Sequence, residues 1–163
     1  MMGLLIWHQG QSQNASKTDS LLKLLQNQKL SNIQKVDVYN LLSEQYNFKD
    51  STKAELYLSK ALTLAEKQQY VKGLARTYYL LGWFDIDHKR LKDAENNFRK
   101  ALNVSLKNKY KKGEGDAYAG FGAIAIHKNN SKELQLYYEK ALKVYAAIKN
   151  QESILKIYQN WGF

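Results

Sequence analysis

Apolar residues recur along this chain at spacings of three and four, and polar residues fill the opposite face. "GLARTYYLLGWFDIDH" sets Leu74, Tyr78, Leu81 and Phe84 on one stripe. "LKDAENNFRKALNVSLKN" does the same with Leu91, Ala94, Phe98, Ala101, Leu102 and Val104. That spacing predicts amphipathic helices. A polar link, His88 to Arg90, separates the two, and its counterpart one unit on is "KNN" at 128–130. Asn130 followed three residues later by Glu133 reads as a helix N-cap with a capping-box-like pattern. Links this short make the paired helices antiparallel neighbours. The chain contains no proline, which agrees with an all-α reading because interior prolines break helices.

The helix pairs repeat. "KALTLAEKQQY" (60–70), "KALNVSLKNKY" (100–110) and "KALKVYAAIKN" (140–150) stand 40 positions apart, and the match extends outward from them. Gly73 meets Gly113; Tyr78 meets Tyr118 and Tyr158; Leu81 meets Phe121 and Trp161; Gly82 meets Gly122 and Gly162. Such self-similarity marks a repeat architecture. It also decides the meaning of "KKGEGDAYAGFGAIAIH" (111–127), which on its own resembles a phosphate-binding loop. Gly120 and Gly122 fall in mid-helix, Gly122 at the place of Gly82 and Gly162, and the residues ahead of them are helical by pattern. A phosphate loop needs its glycines at a strand-to-helix turn. These glycines instead predict close approach of a neighbouring helix, with Gly113 and Gly115 expected at the inter-unit turn and helix start.

The repeated residues resemble the tetratricopeptide repeat family. One unit supplies Tyr78, Leu81, Gly82, Ala94, Phe98 and Ala101 at the pattern's positions, and the next supplies Tyr118, Phe121, Gly122, Leu134, Tyr138 and Ala141. A degenerate earlier unit gives Val38, Leu41, Leu42, Ala54, Leu58 and Ala61, and a fourth stops after Tyr158, Trp161 and Gly162. The resemblance covers roughly residues 33–163. The family's aromatic at position eleven is replaced by Asp85 and Ala125, its closing proline is missing, and the unit is 40 residues long. The resemblance implies a right-handed α-solenoid of antiparallel helix pairs. The domain expectation is a disordered leader or signal-peptide remnant at 1–15 and a repeat domain at 16–163. Within it lie a leader helix at 16–30, units at about 33–70, 73–110 and 113–150, and a truncated unit at 151–163. Long units of this kind look like those of bacterial signalling proteins that precede a sensor histidine kinase or a DNA-binding regulator, so a larger parent is expected.

In a helix-pair solenoid the first helices of successive units line a continuous groove. Carried over from the family, the groove positions are Val36, Tyr39, Ser43, Tyr46 and Asn47 in the first unit. The second gives Arg76, Tyr79, Trp83, Ile86 and Asp87, the third Asp116, Ala119, Ala123, Ile126 and His127, and the last Lys156, Gln159 and Phe163. Aromatic anchors mixed with a few charges suit a protein or peptide ligand, with Trp83 and Tyr79 as the anchors. The alternative for Trp83 is packing against the next unit. Trp161 and Phe163 are poor capping residues, so the last helix is expected to pack on further repeats or on another chain.

Composition removes other functions. The chain lacks cysteine, which excludes disulfides and thiolate chemistry. His8, His88 and His127 do not fall at metal-ligand spacing, Asp85 and Asp87 point in different directions on their helix, and no serine sits in an elbow motif. No catalysis, metal or cofactor is therefore expected within these residues, although a longer parent could carry a kinase module. The net charge of +10 raises nucleic acid as the alternative partner. The cations are mostly scattered lysines, and only Arg76, Arg90 and Arg99 are arginines, whereas groove readers favour arginine forks. No stretch approaches the roughly 20 apolar residues of a membrane span. Leu4, Leu5, Ile6 and Trp7 read like the tail of a secretory signal, which would make the protein periplasmic; otherwise it is cytoplasmic.

Overall fold

The computed structural model of the chain describes residues 17–27 and 29–162. The expectation for residues 1–15 lies outside the described residues, as does the groove assignment of Phe163. Among the described residues there are only helices, joined by turns. Helix α1 covers 17–26. It is followed by α2 (Asn32–Tyr46), α3 (Ser51–Lys67), α4 (Val71–Asp87), α5 (Leu91–Lys107), α6 (Lys111–His127), α7 (Ser131–Ala147) and α8 (Gln151–Trp161). The chain divides into two compact units, residues 1–68 and 69–163.

In the first unit, α1 lays Leu21 against Val38 and Leu42 of α2, and Leu22, Leu25, Leu30, Tyr46 and Tyr57 close around them. The helix ends at 26 rather than 30 because Asn27 offers the backbone another partner. Its Oδ1 accepts the Lys29 amide at 2.9 Å and its carbonyl accepts the Leu30 amide at 3.1 Å. Ser31 then starts α2 with a full capping box: its Oγ accepts the Gln34 amide and the Gln34 side chain accepts the Ser31 amide.

In the second unit each helix packs on the next from α4 to α8, and α4 also packs on α6. The first helices of these two pairs, α4 and α6, are therefore neighbours. Gly122 makes the α6–α7 contact possible: a Cβ there would stand 2.2 Å from Cε1 of Tyr138, a ring only 1% exposed. Gly82 faces Phe98 in the same way at 2.5 Å. The glycines of 111–127 are packing residues, and Gly113 and Gly115 lie inside α6, buried, rather than in the turn before it.

The turns are alike. Lys89, Lys109, Asn129 and Lys149 each take a left-handed conformation, with φ of 59°, 55°, 52° and 55°. The residue after each one donates back five positions, as in Arg90 to the Asp85 carbonyl and Asn130 to the Ala125 carbonyl, both near 2.9 Å. This is the Schellman closure, here built without glycine. Asn130 caps α7 by accepting the Glu133 amide at 3.2 Å. At the α4–α5 turn, buried Asp85 accepts from Arg90 Nε at 2.8 Å and from Asn97 Nδ2 at 2.7 Å, while Asp87 is exposed.

The α2–α3 pair departs from the 40-residue period. Helix α3 starts 40 positions before α5, but α2 starts 39 before α4. The first pair is one residue shorter between its helix starts, and its turn, 47–50, holds no left-handed residue. Buried Val36, Val38 and Ser43 therefore correspond to Ala75, Thr77 and Gly82, all buried as well.

Candidate functional site

The shorter first pair changes its groove assignment. Val36 is fully buried and Ser43 is 3% exposed, so neither presents a surface to a ligand. The Ser43 hydroxyl donates to the Asn40 carbonyl at 2.7 Å. Tyr39 and Tyr46 both stack on Tyr57 of α3, with ring centroids 6.0 and 5.8 Å apart. Lys60 lies over the Tyr39 ring and Lys53 over Tyr46. A carry-over at a period of 40 places each of these one position off the face it was meant to occupy. The assignment of Val36 and Ser43 to an open groove is corrected to burial within the pair, while Tyr39 and Tyr46 are half-buried and stack on Tyr57; Asn47 caps the end of α2.

In the second unit the first helices do converge. A cleft of about 270 Å³ is walled by Arg76, Tyr79 and Trp83 of α4, by Lys112, Asp116 and Ala119 of α6, and by Ser153, Lys156, Ile157 and Asn160 of α8. Trp83 is half-buried and serves two surfaces. Its ring meets Phe98 edge-on at 6.3 Å inside the α4–α5–α6 core, with Tyr79 edge-on at 6.2 Å. Its remaining face belongs to the cleft. The indole N–H is buried with no hydrogen-bond partner, an uncommon arrangement in a packed interior. Arg76 lies over the Tyr79 ring, its Cζ 5.6 Å from the centroid, in a cation–π contact.

The floor is a three-residue network. Asp116 is 7% exposed and its carboxylate is held from two sides. Lys112, one turn earlier on α6, donates to both oxygens at 3.0 and 2.8 Å. Tyr145 crosses from α7 and donates its hydroxyl to Oδ1 at 2.8 Å. Burial, and next the Asp116 charge, push the Tyr145 phenol far above its ordinary range, so it remains a donor. Gly115 opens the path for that ring: a Cβ there would stand 2.6 Å from Tyr145 Cε1.

The remaining expected groove residues separate. Asp87 and His127 line a second depression of about 480 Å³ with Ile86, Lys89 and Leu91. Ala123 is buried in the core. Ile126 lines another shallow pocket with Asn129 and Leu134. Gln159 is exposed, and Asn160 takes the cleft position beside it. Sequence reasoning missed Lys112 and Tyr145. The first had a signal, a lysine one turn before an aspartate; the second, on a second helix, had none. Among the described residues no cluster of histidine and carboxylate side chains could hold a metal ion, and no helix is long and apolar enough to cross a membrane.

No protein-family model matches this chain, and no curated protein matches it. Among solved structures the chain is similar to BtubC (BKLC) from P. vanneervenii, with a TM-score of 0.69 at 18% identity. The alignment covers 93% of this chain and 62% of that one, so this chain spans only part of that protein's length. At this identity the likeness shows the fold alone, and the fold is an all-helical, repeat-like arrangement of consecutive helices.

Proposed function

We propose that the chain is a protein- or peptide-binding scaffold of the tetratricopeptide type, the interaction or sensing segment of a larger signalling protein. The carrying observation is the cleft of the second unit. Three first helices in succession contribute residues at repeat-equivalent positions, Arg76, Asp116 and Lys156, beside an aromatic wall of Tyr79 and Trp83. A concave, mixed aromatic and polar surface on rigid helices fits an extended peptide or a helix. The nucleic-acid alternative is disfavoured by the tyrosines. Lysine ammonium groups lie over the rings of Tyr78, Tyr118 and Tyr137 at 5.4, 5.5 and 5.6 Å, where a base would have to stack.

The test is selection of random 12-residue peptides, displayed through their C-termini, on the immobilised protein. Enriched peptides should lose binding to a folded Trp83→Ala variant and change little between low and moderate salt. Failure to enrich any Trp83-dependent peptide, together with tight binding of a labelled single strand that collapses as salt rises, would replace this reading with the nucleic-acid one.

A further inference from the structure

We infer that a separate groove between α6 and α7 binds a small amphipathic anion, an aryl or short acyl body ending in a carboxylate. Lys140 and Lys143 receive the anion, and Tyr118, Val144 and Ala147 receive the body. The groove shares no residue with the cleft of the first helices, so the inference does not depend on the peptide-binding reading.

The groove encloses about 310 Å³, enough for one small molecule. Spacings of three and four put Lys140, Lys143, Val144 and Ala147 on one stripe of α7, and Tyr118 faces them from α6. The two earlier pairs differ at this place. Because α3, α5 and α7 start 40 positions apart, Ala147 stands where those pairs carry Lys67 and Lys107, and Lys143 stands where they carry Thr63 and Asn103. In the α6–α7 pair a methyl thus replaces a long side chain at the end of the groove, and a cation replaces a neutral polar group on its rim. Three lysines and one carboxylate line the groove. The carboxylate, Glu114, is already matched by Lys111 at 2.8 Å. The Lys140 ammonium lies over the rings of Tyr118 and Tyr137 at 5.5 and 5.6 Å, contacts that position it without cancelling its formal charge. Lys143 makes no hydrogen bond or ion pair among the described residues, and the carboxylate one turn before it, Glu139, accepts from Gln135 at 2.8 Å instead. Two positive charges beside an apolar slot therefore lack a counter-ion. A ligand with an apolar body and one carboxylate supplies it while covering the Val144 and Ala147 side chains.

The experiment titrates methyl-labelled protein with octanoate and with 4-phenylbutyrate and follows the side-chain methyl signals by heteronuclear NMR. The signals of Val144 and Ala147 should shift and saturate with both probes. Octanamide, which keeps the body and lacks the charge, should bind about tenfold or more weakly. Lys143→Asn installs the residue that α5 carries at that place and should weaken octanoate binding about threefold or more, while Lys143→Arg should retain it. Ala147→Gln, which fills the end of the groove without adding charge, should weaken it as much. Lys92→Glu, an exposed position on α5 outside the groove, should leave affinity unchanged. Shifts centred elsewhere on the protein, equal affinity for octanoate and octanamide, or indifference of octanoate to Lys143→Asn and Ala147→Gln would each overturn the inference and leave the peptide reading untouched.

Discussion

Replacing Gly122 by alanine sets helix propensity against close packing, and the structure decides which prevails. The new Cβ would lie 2.2 Å from Cε1 and 2.3 Å from Cδ1 of Tyr138. Carbon atoms in good contact stand about 3.5 to 4.0 Å apart, so the ring or the helix must yield by roughly 1.3 Å. Tyr138 is 1% exposed and sits between Ala141, Tyr145 and Ile157, which leaves the ring no open side. Overpacking of this kind costs about 1–3 kcal/mol, while alanine recovers about 1 kcal/mol over glycine in a helix interior. The expected net is a loss of up to about 2 kcal/mol, read from urea denaturation followed by far-ultraviolet circular dichroism. A second background isolates the cause. In Tyr138→Leu the clash is removed, so the same glycine-to-alanine change should now stabilise by up to about 1 kcal/mol. A higher midpoint for Gly122→Ala in the natural background, or an equal effect in both, would refute the packing argument.

Two further perturbations follow from the turns and the cleft. Lys89, Lys109, Asn129 and Lys149 occupy the left-handed region, which costs an L-residue about 1–2 kcal/mol, whereas glycine adopts it freely and pays chiefly through the unfolded chain. Each change to glycine should raise stability by about 0.5–1 kcal/mol, and a drop in thermal midpoint would show that these side chains are held by contacts worth more than the strain. Tyr145 gives a pH signature. Its folded pKa is raised, so above pH of about 10 the unfolded chain releases the phenolic proton first, and stability falls with a slope of about 1.4 kcal/mol per pH unit for that group. Tyr145→Phe should lose stability at neutral pH through its missing bond to Asp116, yet fall less steeply between pH of about 10 and 11.5; an unchanged alkaline slope would contradict the assignment.

How far the fold was legible depends on what each feature rests on. Helix pairs, their short links and the role of Gly82 and Gly122 all rest on periodicity, which one sequence displays directly. The convergence of Arg76, Tyr79, Trp83, Asp116, Ala119 and Lys156 in one cleft follows from a constant 40-residue offset between α4, α6 and α8. Tyr145 was not legible, because its reach toward Asp116 depends on the room left by Gly115 across the helix interface. The left-handed turn residues were obscured for a different reason. Glycine is the usual signal there, and this chain places lysine and asparagine instead. The leader helix shows local chemistry overriding pattern, since apolar spacing continues to Leu30 while Asn27 has already ended the helix.

The first pair shows how a one-residue change in length is absorbed, and it yields a coupled test. Ser43 stands where Gly82 and Gly122 stand, once α2 is aligned by its own start, and Leu58 stands where Phe98 and Tyr138 stand. In the second unit a glycine is matched to a large aromatic; in the first, a larger residue is matched to a smaller aliphatic one. Both Ser43, at 3%, and Leu58, at 2% exposure, are buried, so the two volumes trade against each other within one pair. Leu58→Phe alone should therefore overpack the α2–α3 contact and cost about 1–3 kcal/mol. Ser43→Gly alone should cost about 0.5–1 kcal/mol through helix propensity. Together they recreate the glycine–aromatic match of the later pairs, so the double variant should be more stable than Leu58→Phe by at least about 1 kcal/mol, a coupling that a double-mutant cycle in urea measures. Strict additivity of the two changes would mean that Ser43 and Leu58 do not share this contact, and the one-residue shift of α2 would then lose its energetic meaning.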